Sequence, residues 1–182
     1  MSIRSNSQWA ITESIMLIGK VFAGPDTLNV YSCNHFIQRA GERVPDDVDS
    51  KTRVEIMFAA AIESIMSIDS FRKYIYNKAR FWAGNELVNR RFQIRDRVNG
   101  GIGYFFEINP RSKELLLITV IYDEEKNVAL KGGHICIDIS PVTTDWMSCE
   151  VCHVTLIDKT FGGLGVEEDR AVICANDIRW ED

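Results

Sequence analysis

Apolar positions recur three and four apart through the first half of the chain and two apart through the second. The first spacing is that of a helix buried along one stripe, and the second is that of a strand with one buried face. Trp9, Ile11, Ile15, Met16 and Ile18 predict a helix from about residue 8 to 21, stopped by Gly24-Pro25. Asp26 and Thr27 are placed to cap a second helix over about residues 28–40, ending at Gly41. Val54, Met57, Phe58, Ala61, Ile62, Ile65, Met66 and Ile68 leave little polar circumference, so residues 51–68 predict a central helix buried nearly all round. Asp69 and Ser70 cap a further helix over about residues 71–83, with Phe71, Tyr74, Ile75 and Trp82 inward and Arg72, Lys73 and Arg80 outward.

From Asn89 the period falls to two. Residues 91–95 and 104–108 alternate around the turn at Asn99-Gly100-Gly101 and predict a hairpin. Residues 115–122 are apolar on both faces, as in a central strand, and residues 134–140, 149–158 and 171–180 give three further candidates. Helices followed by strands predict an α+β fold in which about four N-terminal helices pack on a mostly antiparallel sheet of five or six strands. No repeat or linker interrupts the 182 residues, so one domain is expected over 1–182, helical over about 8–84 and sheet over about 89–180.

Composition adds exclusions. Hydrophobic residues make up 46% and charged residues 26%, which removes the disordered and fibrous classes. No apolar run reaches the roughly 20 residues of a membrane-spanning helix, and none near the N-terminus has the form of a secretory signal. A cytoplasmic location with no membrane partner is expected, and the odd count of 5 cysteines is read as reduced thiols.

The net charge of −5 is unevenly spread. Between residues 70 and 97 cations dominate, among them Arg72, Lys73, Arg80, Arg91 and Arg95, interleaved with aromatics as in surfaces that bind single-stranded nucleic acid. Acidic runs follow, at Asp123-Glu124-Glu125 and Glu167-Glu168-Asp169. They are the expected contact for another protein with a basic surface.

The candidate chemistry is concentrated in residues 131–158, which hold two of the three histidines and three of the five cysteines. If the runs around Cys136 and Val154 pair as a hairpin with both apolar faces buried together, the register parity is fixed. His134, Cys136, Asp138, His153 and Thr155 then share the opposite face, where directly opposed β-carbons lie about 5 Å apart. Cys149-Glu150-Val151-Cys152 has CxxC spacing, but on a strand positions three apart point to opposite faces, so neither a metal nor a cofactor is expected. His153-Val154-Thr155-Leu156 resembles the HxTx element of the two-histidine phosphoesterases; the matching run His134-Ile135-Cys136-Ile137 lacks the hydroxyl. The resemblance implies that His134 and His153 exchange protons with nucleophile and leaving group while the Thr155 hydroxyl holds a phosphate oxygen. A more general reading is a small RNA-acting hydrolase with His134 or His153 as acid and base, Asp138 on the same face, and Arg91 or Arg95 stabilising phosphate charge.

Two functions follow. The first is a non-catalytic cytosolic binding protein of the inhibitor, immunity or antitoxin kind, which covers a macromolecular partner's functional surface. The alternative is a small phosphodiester hydrolase or RNA-acting nuclease using His134 and His153. The absence of a serine-triad order, kinase set or HExxH helix favours the first, so no enzyme activity is the leading expectation.

Overall fold

The computed structural model describes residues 15–43, 50–83, 91–98, 101–123, 125, 128–142, 151–160 and 169–174. In chain order the elements are β1 (Ile15–Ala23), β2 (Asp26–Cys33), α1 (Asn34–Arg43), α2 (Ser50–Met66), α3 (Asp69–Ala83), β3 (Phe92–Asp96), β4 (Ile102–Asn109), β5 (Glu114–Tyr122), β6 (Ile135–Val142), β7 (Val151–Asp158) and β8 (Asp169–Cys174). All strands join one sheet in the order β1-β2-β5-β4-β3-β6-β7-β8. The pairs β2–β5 and β3–β6 are parallel and the other five are antiparallel.

This corrects the expected fold of about four N-terminal helices on a five- or six-stranded sheet. Two strands precede three helices, and the sheet is mixed and wider. The error lies at the N-terminus, and it has a physical cause. The β1–β2 register slips between Leu17 and Gly19, so Ile18 is an inserted residue. A bulge of this kind breaks the period of two, leaving apolar residues at 15, 18 and 21, which is helical spacing. Residues 8–14 of the expected first helix lie outside the described residues. Gly24-Pro25, read as a helix stop, is instead a two-residue hairpin turn: Ala23 pairs with Asp26, and Gly24 has φ 60° at the first turn position. That geometry favours glycine. The run Leu28, Val30, Ser32 then alternates as a strand whose buried side faces the helices. Only from Asn34 does the chain become helical, so the second expected helix survives as its C-terminal half.

The two parallel pairs left no local signal. Both join strands separated by other elements, and turn chemistry reports only on neighbours in sequence.

The helices cover one face of the sheet. Phe36 and Ala40 from α1, Val54, Phe58, Ala61, Ile62 and Ile65 from α2, and Phe71 and Ile75 from α3 form one continuous core with Leu28, Phe92, Ile94, Tyr104, Phe106, Leu117, Ile135, Ile137, Val154 and Leu156. Phe58 stands against Tyr104 and Phe106 at centroid distances of 5.3 and 5.6 Å, and Phe92 stacks on Phe106 at 5.4 Å. Each such pair adds about 0.5–1.5 kcal/mol to the burial of its rings. The opposite face, here called outer, carries Gln93, Arg95, Gly103, Phe105, Cys136, Asp138, His153 and Thr155. No helix among the described residues is long and apolar enough to cross a membrane.

Candidate functional site

The β6–β7 ladder decides what the histidine-rich stretch can do. Asp138 pairs with Thr155, Ser140 with His153 and Cys136 with Ile157, so Cys136, Asp138, His153 and Thr155 share the outer face by the parity that burial of both apolar faces requires. Along the strands the outcome is different. His134 directly precedes Ile135, the partner of Asp158, whereas His153 pairs with Ser140, six residues further along β6. At 3.3–3.4 Å per residue the two histidines lie about 20 Å apart, too far to act on one phosphorus. The two-histidine arrangement is therefore not assembled, and His153 and Thr155 remain as half-buried neighbours of Ser140 and Asp138.

Asp138 is neutralised where it stands. Its Oδ1 lies 2.8 Å from Nε of Arg95 and 3.1 Å from Nε of Arg97. Arg95 also donates to the carbonyl of Val128 at 3.0 Å. The Oδ1 of this carboxylate is thereby engaged by two guanidinium groups that tie β6 to β3.

The other end of the outer face is closed by residues 128–133, which cross it as a strap. Gln93 is fully buried and clamps the strap twice, donating from Nε2 to Ala129 O and accepting on Oε1 from Lys131 N, each at 2.9 Å. Lys159 Nζ donates to Leu130 O at 3.1 Å. Val128 is buried against Gly103, where an added Cβ would come within 2.9 Å of the valine. Under the strap lie Cys136 and His134, 0% and 1% exposed. The Cys136 thiol donates to surrounding oxygens, among them Gln93 Oε1 at 3.6 Å, and burial pushes its pKa up to about 11. It is protonated at neutral pH, unfit as nucleophile or metal ligand. His134 donates from Nδ1 to Gly132 O at 3.1 Å, and its ring meets Phe105 edge to face. Among the described residues no three His, Cys, Asp or Glu side chains gather as metal ligands; Cys149 lies outside them.

Comparison with family models, curated proteins and solved structures returns no match. The site must therefore be read from its own geometry.

The cations of the basic segment do not form one surface. Arg72 turns back onto the junction between α2 and α3, donating to Met66 O at 3.0 Å and pairing with Asp69, instead of facing outward. Arg80 sits over the Tyr76 ring, Lys73 is exposed, and Arg91 is half-buried. Arg95 lies beyond the sheet from these helical residues, spent on Asp138. Of the expected acidic contacts, Asp123 accepts from Glu125 N in the turn after β5, while Glu124, Glu167 and Glu168 lie outside the described residues. Asp169 opens β8 opposite Leu156.

Two features escaped the sequence reading. The first is Asp158, buried at the end of β7 and bound by Tyr74 Oη, by Lys78 Nζ at 3.1 Å, and by the amide and hydroxyl of Thr160. Burial alone would raise its pKa, but these donors more than offset it and the carboxyl titrates below its usual range. Every oxygen is used, so this is a lock between α3 and β7. The second is the β1 edge, where Met16, Leu17 and Phe22 are 52%, 53% and 70% exposed; paired with Tyr31 and Thr27, Leu17 and Phe22 stand on the outer face, while Ile56 of α2, 43% exposed, lies on the helix side. A cavity of about 270 Å³ opens there between Ile18, Gly19, Val21 and Val30 of the sheet and Glu55, Ile56 and Ala59 of α2. Gly19 has nothing within 4 Å of where a Cβ would stand. Phe22 N donates to Glu63 Oε1 at 3.0 Å, so that amide points away from β2; by antiparallel alternation the amide of Lys20 does too. The available signal was the Gly-Pro turn followed by alternation, which makes β1 half of a hairpin.

Proposed function

We propose that this chain is a non-catalytic binding protein that occupies the functional surface of another protein, and that it does so through the β1 edge. The observation that carries the reading is the coincidence at β1 of exposed large apolar side chains, outward-directed strand amides and an open apolar cavity. Native proteins blunt their sheet edges, and clustered exposed apolar side chains mark interaction surfaces. The fitting occupant is an extended segment that adds beside β1 and seats one large apolar side chain at Gly19. Its expected charge is basic: Glu55 and Glu63 flank the edge against Lys20, and the chain carries −5 overall. Glu63 holds the Phe22 amide while the edge is empty, and on exchange for a partner carbonyl its carboxylate becomes available to a lysine or arginine.

Catalysis at the histidine-rich face has less support, because His134, Cys136, Asp138 and Arg95 are consumed in holding the strap and the sheet together. The test is affinity purification from the native host with three forms: wild type, Leu17→Lys/Phe22→Lys and His153→Ala/Thr155→Ala. A stoichiometric protein partner retained by the wild type and by His153→Ala/Thr155→Ala, and lost from Leu17→Lys/Phe22→Lys, is the expected result. Retention by the β1 variant refutes the assignment of the surface.

A further inference from the structure

The strap that closes the outer face is fastened by a side chain whose protonation its surroundings oppose. His134 is 1% exposed, and with Nδ1 donating to Gly132 O the neutral ring carries its lone pair on Nε2. That nitrogen is buried and has no hydrogen-bond partner among the described residues. A proton added there creates a buried cation with an unsatisfied N–H, a state far costlier than a neutral orphan acceptor. The charged groups on the elements around the ring are Lys131 on the strap, Arg91 and Arg95 on or before β3, Glu107 on the outer face of β4, and Asp158 and Lys159 at the end of β7. Asp158 is held by Tyr74, Lys78 and Thr160, and Arg95 by Asp138. The opposition to a charge is strongest from burial, and Lys131 and Arg91 add to it against the favourable Gly132 contact, so the ring titrates below its ordinary range.

The ring is also the hinge of the strap. Gly133, at φ 81°, donates to Lys159 O at 2.9 Å, and Lys159 N donates to His134 O at the same distance. Gly132 is exposed and unobstructed, leaving the turn free to move. Displacing the imidazole therefore removes the Gly132 contact and loosens the turn from which residues 128–131 hang, with the Gln93 clamp next in line.

We propose that residues 128–134 are an acid-released strap: protonation of His134 expels its ring from against Phe105 and frees the segment from the outer face, uncovering Phe105, Gln93 and Cys136. The sheet itself is kept by the helix-side core. This inference is independent of the β1 edge and stands or falls without it.

The test is site-resolved hydrogen exchange on the full chain at about pH 7.5 and about pH 5, corrected for intrinsic rates, with wild type and His134→Gln. The Lys131 and Gly133 amides are expected to lose protection about tenfold or more in acid, the factor given by one unit of pKa difference between closed and open states. The Ile137 amide should hold its protection, and His134→Gln should show no acid-dependent loss at the strap. Unchanged strap protection in the wild type overturns the proposal, as does an equal loss in His134→Gln or a loss shared by Ile137. Should the variant not fold, the imidazole Cε1–H resonance of His134 in the wild type replaces it: strap release must follow that titration, and release at any other pH overturns the proposal.

Discussion

Asp138 and Arg95 face each other across the parallel β3–β6 ladder with Oδ1 and Nε 2.8 Å apart, and both side chains are mostly buried. The pair gives a residue placed among the catalytic candidates a structural role in joining β3 to β6. Asp138→Asn leaves Arg95 and Arg97 without their counter-charge under a largely closed surface, and a loss of about 3 kcal/mol in unfolding free energy is expected, the magnitude for breaking a buried pair from one side. Urea denaturation measures it. A loss below about 1 kcal/mol would mean that the arginines find other partners.

The lock at Asp158 gives a pH dependence with a definite sign. Its folded pKa is depressed, so the stability it contributes is fully present above the unfolded carboxyl value of 3.8 and is lost as pH falls through the lower folded value. Tyr74→Phe removes one donor to the carboxylate and is expected to cost about 2 kcal/mol at neutral pH. Its deficit relative to the wild type should shrink in acid, as chemical denaturation across the acid range would show.

Cys136 offers a check on the closed outer face. In a Cys149→Ser/Cys174→Ser background the remaining thiols, Cys33, Cys136 and Cys152, are all buried. A thiol-specific reagent at neutral pH should label none of them before unfolding and all of them after. Stoichiometric labelling of Cys136 in the native protein would contradict the strap's placement at that pH.

The packing of the strap on β4 predicts a cost for the smallest possible addition. A Cβ on Gly103 would come 2.8 Å from Ile121 Cγ1 and 2.9 Å from Val128 Cγ1, closer than real contacts allow. Gly103→Ala should destabilise by about 1–3 kcal/mol through overpacking. Faster exchange at the strap amides than at β6 would place the damage there.

What could be read from the chain beforehand follows the range of the signals. The helix at Val54 to Met66, the antiparallel pairing of β3 with β4 and the common face of Asp138 and Thr155 are set by local period and parity, and these were legible. The β1 strand was not, because one inserted residue at Ile18 turned its spacing helical. Nor was the 20 Å separation of His134 and His153, since parity fixes which side a residue faces and says nothing of its position along the ladder. The strap was hidden for a third reason: Gln93, Arg95 and Lys159 hold it through backbone carbonyls that any sequence at Val128 to Leu130 would offer.

The central claim is that binding occurs at β1 and not on the histidine-bearing face. Its most direct measurement is photo-crosslinking in the native host, with a photoreactive residue placed singly at Leu17, Phe22, His153 or Thr155. Adducts to one protein partner from positions 17 and 22, with none from 153 and 155, are the expected result; adducts from 153 and 155 alone would contradict it.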